Sequence, residues 1–225
     1  MMIKLSGHKG AAAVAVVLLI LIIDQIIKIE VKTGMRLHES IRITGWFYIS
    51  FIENNGMAYG MTFINKLFLS LFRIAAIGFI IYYLWLQVRQ QARLGYILCL
   101  SMILAGASGN IIDCVFYGQI FSCSTPYATA TLVSFGDGYA PLLMGRVVDM
   151  FYFPIIRTEW PEWMPLCGGE PFVFFSPVFN FADSCITVGF VLLLVFFRKE
   201  LSELSLKRRE PKDDGEKDDN DGRET

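Results

Sequence analysis

Phe179-Asn180-Phe181-Ala182-Asp183-Ser184 opens an uncharged apolar run that reaches Phe197. With its ends included, the run is long enough to cross a lipid bilayer. Asp183 then stands at the mouth of a membrane helix, where a carboxylate is costly to hold. A second aspartate, Asp149, lies in Gly145-Arg146-Val147-Val148-Asp149-Met150-Phe151. Both are expected at the same face of one membrane. Two carboxyl groups at a lipid–water boundary suggest acid/base chemistry there.

Outward from that stretch, the 225-residue chain is 54% hydrophobic, and the excess is concentrated in four blocks. Residues 11–23 are wholly apolar, and the segment continues through Asp24 to Ile29. Residues 67–86 carry Arg73 as their only charge, and residues 94–112 carry none. A spanning helix needs about 17–25 residues, which each block supplies. The sequence therefore predicts a mainly α membrane protein with four transmembrane helices at 11–29, 67–86, 94–112 and 181–197. They form one membrane domain over residues 1–206. The tail, 207–225, is charged and polar, and is expected to be disordered in the cytoplasm.

Charge placement sets the orientation. With both termini inside, Lys4, Lys9, Arg89, Arg93, Arg198, Lys199, Lys207, Arg208 and Arg209 lie near the inner span ends. The outer segments, 30–66 and 113–178, hold fewer cations over more residues: Lys32, Arg36, Arg42, Lys66, Arg146 and Arg157. The positive-inside rule puts these two segments outside the cytoplasm. Lys4 and Lys9 before an apolar run imitate a secretory signal. That run ends in Asp24-Gln25-Ile26-Ile27-Lys28 without a small-x-small site, so it reads as a retained first helix.

In the first outer segment, residues 42–52 are β-branched and aromatic and read as strands, and Asn54-Asn55-Gly56 marks a turn. In the second, residues 119–144 read as a loop insertion rich in Ser, Thr, Gly, Ala and Tyr, with a turn at 135–139. Residues 154–177 are broken by Pro161, Pro165 and Pro171, and read as an irregular segment lying on the bilayer surface.

Polar residues of the spans cluster at one depth. Asp24 and Lys28, at i and i+4, share a helix face and can pair. Asn110 and Asp113, at i and i+3, close the third span. Each has a plain structural reading: an ion pair that fixes packing, a helix end that reaches water, a capping aspartate at position 183. Their convergence with Asn54, Asp149 and Asn180 near one interface is what a passive helix bundle does not need. A pore would spread its polar residues along the whole span. The main alternative is a small proton-coupled transporter or channel subunit that uses Asp24 and Lys28.

Other chemistries fit less well. His8 and His38 are the only histidines, and neither sits in a metal-ligand pattern, so no metal or other cofactor is expected. A Lys28–Ser108 dyad is weakened because Asp24, one turn away, would keep the lysine charged. Five cysteines give no C-x-x-C, leaving a Cys123–Cys167 disulfide or unpaired thiols. Gly106-Ala107-Ser108-Gly109 reads as small residues for close helix packing.

At this point the residues match a family. The chain resembles lipoprotein signal peptidase, the bacterial signal peptidase II, over about residues 10–200. Asp24-Gln25-Ile26-Ile27-Lys28 resembles its D-x-x-x-K motif, and Asn54-Asn55-Gly56-Met57-Ala58-Tyr59-Gly60 its N-x-G-x-A-[FY]-[GS] motif. Gly109-Asn110-Ile111-Ile112-Asp113 resembles G-N-[LI]-x-D, Val147-Val148-Asp149-Met150 resembles V-V-D-F, and residues 179–184 resemble F-N-x-A-D-[SA]. The resemblance implies an aspartyl endopeptidase of the bacterial inner membrane, with a small extracytoplasmic β-cradle and no cofactor. It implies that Asp149 and Asp183 are the catalytic pair, supported by Asp24, Lys28, Asn54, Gly56, Asn110 and Asn180. It implies diacylglyceryl-modified prolipoproteins as substrates, cut before the lipidated cysteine, with membrane lipid around a monomeric enzyme and no nucleic-acid partner. Two departures stand out. Cys114 occupies the place where the family usually has an arginine, thought to help hold the lipid-bearing substrate, and Arg146 is the candidate to fill that role. Residues 119–144 are extra, and are expected to cover the site or to contact another protein.

Overall fold

The computed structural model describes residues 2–56, 63–165 and 167–202. In chain order it contains α1 (Met2–Gly34), β1 (Ser40–Arg42), β2 (Tyr48–Asn54), α2 (Phe63–Arg89) and α3 (Leu94–Ile112). A π-helical turn (Asp113–Tyr117) and the single turn α4 (Gly118–Ile120) extend α3. There follow β3 (Val147–Tyr152), β4 (Ile156–Glu159), β5 (Pro171–Phe174), β6 (Val178–Phe179), α5 (Phe181–Phe196) and the short α6 (Arg198–Ser202).

α3 carries no charge and lies at the centre of the bundle, packed against α1, α2 and α5. Its buried residues Tyr96, Ile97, Leu100 and Leu104 meet Tyr83 and Leu84 of α2 and Leu193 of α5. One polar pair is tolerated there because the two hydroxyls share a hydrogen bond: Tyr83 Oη and Tyr96 Oη lie 2.8 Å apart. The opposite helix faces leave large apolar side chains uncovered, among them Leu18 and Ile22 of α1, Phe72 of α2 and Val191 of α5. Such a surface suits lipid rather than water.

Among the described residues, three helices are long and apolar enough to cross a membrane: His8–Gly34, Lys66–Arg89 and Leu94–Ile120. They contain the first three predicted spans. The fourth, α5, is an apolar helix of 16 residues. It stops where Phe197 leaves helical geometry (φ −128°, ψ 28°), just before Arg198-Lys199-Glu200.

At the end of the bundle where α1 finishes and α5 begins, a four-stranded antiparallel sheet runs in the order β1-β2-β3-β6. The expected strands are present, as two runs joined through the Thr44–Phe47 turn. Alternation along β3 sends Val148 and Met150 to one face and Asp149 to the other. Ile52 pairs with Asp149 and Glu53 with Val148, so β2 splits the same way.

Residues 119–144 pack on the Val148 face. Phe121 and Ala130 are buried there with Val31 and Met35 of α1 and Phe51 of β2. Backbone bonds from Ala130 N to Lys32 O (3.3 Å) and from Leu37 N to Thr125 O (3.1 Å) fasten the insertion to α1 and to the segment that follows it. The insertion is thus a buttress behind the sheet, on the face opposite Asp149.

Residues 154–177 depart from expectation. Instead of an irregular segment they form a β4–β5 hairpin, Ile156 pairing with Phe174 and Glu159 with Pro171. The prolines allow this by position: Pro161 and Pro165 lie in the connecting loop, and Pro171 is the first residue of its strand. All five cysteines are free thiols, which removes the Cys123–Cys167 pairing. The tail, 207–225, and the Met57–Gly60 part of the second motif lie outside the described residues.

Candidate active site

Lys28 anchors the site. Its buried ammonium makes ion pairs with Asp24 Oδ2 and Asp113 Oδ2, each at 2.9 Å, and donates to Asn110 Oδ1, also at 2.9 Å. All three of its protons have partners, as a buried ammonium requires. The i, i+4 pairing read from the sequence is therefore present, with a second carboxylate added. Asp113 is fully buried, which removes the plain reading of a helix end that reaches water. Its Oδ2 also accepts from Val148 N, and its Oδ1 accepts from Gln25 Nε2.

Asp24 reaches α5 as well, accepting from Ala182 N through Oδ1 at 3.0 Å. Gly109 makes room for this: a Cβ there would lie 2.5 Å from Asp24 Oδ2. The small-residue reading of that run on α3 thus has a specific cause at Gly109.

The carboxylate pair is built on this anchor. Lys28 takes the oxygen of the Asn110 amide, so its nitrogen faces the other way and donates to Asp183 Oδ1 at 2.7 Å. Asn180 caps α5 reciprocally with Asp183: Asp183 N donates to Asn180 Oδ1 (2.9 Å), and Asn180 N donates to Asp183 Oδ2 (3.3 Å). The capping reading of Asp183 is therefore correct, and its carboxylate still has the Asn110 contact. Asn180 Nδ2 donates to Asp149 Oδ1 at 2.7 Å. Both carboxylates thus bind one residue, Asn180. Asn54 Nδ2 donates to Asp149 Oδ2 at 3.1 Å. The Asn54 oxygen is occupied by Gly56 N–H at 2.7 Å, in a turn where Gly56 has φ +66°. Asp24, Lys28, Asn54, Gly56, Asn110, Asp149, Asn180 and Asp183 form one connected network.

Burial pushes the Asp149 carboxyl up to about 7, with the nearby Asp183 charge adding to the rise and the Asn54 and Asn180 amides opposing it. A carboxyl group that keeps its proton near neutrality, beside a second carboxyl, can donate while its neighbour accepts.

A second cluster lies on the other face of the sheet. Glu53 accepts from Lys32 Nζ, from Ser124 Oγ at 2.8 Å and from Arg146 Nη1 at 2.9 Å. Burial alone would raise Glu53, but Lys32, Ser124 and Arg146 hold it below the usual carboxylate range. Sequence reasoning missed this cluster. It placed Lys32 in an outer segment, yet α1 continues to Gly34 and buries it. The signal was present: Asp24, Lys28 and Lys32 recur at i, i+4 and i+8 on one helix face. Ser124, within the insertion, had no signal.

Arg146 is the candidate to fill the role of the arginine that position 114 lacks. It is tied to Glu53 across the sheet. The guanidinium that meets Cys114 is Arg73 of α2, with Nη1 3.6 Å from Cys114 Sγ.

Known proteins resemble this chain in sequence and in fold. The family described as Signal peptidase (SPase) II matches residues 16–198. A protein of Porphyromonas gingivalis named lipoprotein signal peptidase is 53% identical over 197 residues, 87% of each chain. One of Amoebophilus asiaticus with the same name is 33% identical, covering 84% of this chain and 78% of its own. A solved bacterial membrane enzyme superposes with a TM-score of 0.58 at 23% identity, covering 84% of this chain and 94% of its own, which shows a shared fold. With a family match over most of its length and a close relative at 53% identity, the chain belongs to the signal peptidase II family, as a multi-pass bacterial membrane peptidase.

Proposed function

We infer that this protein is a membrane aspartyl endopeptidase that removes the signal peptide from diacylglyceryl-modified prolipoproteins, cutting before the lipidated cysteine. The observation that carries the mechanism is the joint attachment of Asp149 and Asp183 to Asn180. Two carboxyl groups held this way share one proton and titrate as a pair. The ionised member takes a proton from a water molecule, whose oxygen attacks the scissile carbonyl. The protonated member donates to the developing oxyanion. Collapse of the tetrahedral intermediate breaks the C–N bond, and the amine leaves with a proton from the pair.

Asp24, Lys28, Asn110 and Asn180 act by position. The Lys28 protons are spent on Asp24, Asp113 and Asn110, which favours an anchoring role over a proton path through the bundle. The reading places both termini in the cytoplasm, four crossings with α5 as the shortest, the carboxylate pair at the outer face, and a single copy as the working unit.

A gel-shift cleavage assay on a lipidated prolipoprotein tests it. Purified Asp149→Asn and Asp183→Asn enzymes are each expected to lose roughly 10²–10⁴-fold in turnover while remaining folded. Normal cleavage by either variant would sink the dyad.

A further inference from the structure

The α2 face that meets the site carries a polar stripe, Lys66, Ser70 and Arg73, at i, i+4 and i+7. Two of the three hold α2 to the end of the insertion, and Lys66 also reaches Asn55. Lys66 Nζ donates to Met144 O (2.8 Å) and Asn55 Oδ1 (3.1 Å), and Ser70 Oγ donates to Leu143 O (2.9 Å). Arg73 differs. Its one hydrogen bond among the described residues goes to Cys114 Sγ, a weak acceptor, and no carboxylate there lies within ion-pair distance of it.

The position of this guanidinium is specific. A Cβ on Gly56 would lie 2.8 Å from Arg73 Nη2, so the group rests against the turn that fixes Asn54, and through it Asp149. Its sulfur contact, Cys114, follows Asp113 of the Lys28 anchor. Phe72, next to it on α2, is exposed on the apolar flank of the bundle. A half-buried guanidinium with most of its five N–H donors unspent on the described residues favours a ligand rich in oxygen acceptors. The apolar flank beside it favours a ligand that also carries hydrocarbon chains.

We propose that Arg73 reads the lipid of the substrate: it donates to the ester carbonyl oxygens of the diacylglyceryl group, holding the anchored end while the peptide lies across Asp149 and Asp183. This rests on the prolipoprotein reading above. The cation that position 114 does not supply arrives from α2.

The test is steady-state cleavage of two synthetic lipopeptides that differ only in a diester or a diether glyceryl group. Wild type is expected to show a KM roughly tenfold higher on the diether, which lacks the carbonyl acceptors. Arg73→Ala should raise KM on the diester by a similar factor, keep kcat, and add nothing on the diether. Arg73→Lys, which keeps a charge without the planar fork, should fall between. Equal effects of Arg73→Ala on both substrates, or a loss confined to kcat, would overturn the assignment. Cleavage of neither substrate by folded wild type would bring down the prolipoprotein reading, and this assignment with it.

Discussion

An asparagine offers an acceptor and two donors at equal reach, and Asn54, Asn110 and Asn180 each use both ends. Their oxygens are taken by Gly56 N–H, Lys28 and Asp183 N–H, which leaves their nitrogens facing Asp149 or Asp183. The amide directions are thus set by neighbours that cannot themselves turn round. A pH dependence follows at this scale. Asp149 is raised to about 7, so its proton is present below that pH and lost above it. The oxyanion donor disappears with it, and kcat/KM should fall as pH rises through about 7. The Asn54 hydrogen bond favours the ionised form, so Asn54→Ala should move this alkaline limb to higher pH. A pH–rate profile of both enzymes checks it, and a limb that stays or moves down contradicts it. The sequence displayed the Asp24–Lys28 pair because helix spacing is regular. It hid the Lys28–Asp113 and Asn110–Asp183 contacts, which cross between helices and depend on how closely α1, α3 and α5 approach.

Among the elements, hydropathy marked the apolar stretches of α1, α2 and α3, because a span must be long, apolar and uncharged, but it stopped at Ile29 while α1 runs on to Gly34. It could not place the sheet, whose strands are contributed by segments far apart in the chain and are aligned by pairing such as Ile52 with Asp149. The prolines within residues 154–177 suggested an irregular segment on the bilayer surface, yet Pro161 and Pro165 occupy the hairpin loop and Pro171 a strand start, where no ladder donor is required. The π turn at Asp113–Tyr117 was also invisible; the carbonyl of Cys114 within it accepts from Gly145 N at 2.8 Å, tying α3 to the chain entering β3. The insertion is the element whose role is most open to direct test. Phe121 is fully buried against α1 and the sheet, whereas Tyr127, in the same insertion, is 89% exposed. Phe121→Ala should cost about 3–5 kcal/mol of stability, and Tyr127→Ala should lie within about 0.5 kcal/mol of wild type. Denaturation in detergent distinguishes a buttress from a loose cover, for which both changes would be mild.

At the scale of the whole molecule, polarity is gathered at the sheet end of the bundle, and the long helices below it are apolar. The far end is closed more simply: Lys9 Nζ donates to the carbonyls of Gln91 and Ala92 at 3.0 and 2.8 Å, joining α1 to the turn between α2 and α3. α5 is the exception to the general length. Its 16 residues rise about 24 Å, against a hydrocarbon core of about 30 Å. On the proposed reading that α5 crosses the membrane, the deficit is a hydrophobic mismatch, which a bilayer relieves by thinning around the short helix at modest cost. Reconstitution in phosphatidylcholine of shorter acyl chains should therefore raise kcat/KM relative to longer chains, measured as cleavage rate per enzyme in matched vesicles. A rate independent of chain length, or one that rises with it, would contradict this. Asp183 lies in the first turn of this short helix, so the dimple would be deepest beside the carboxylates. A peptide bond anchored among acyl chains would then meet water with less lipid to leave behind.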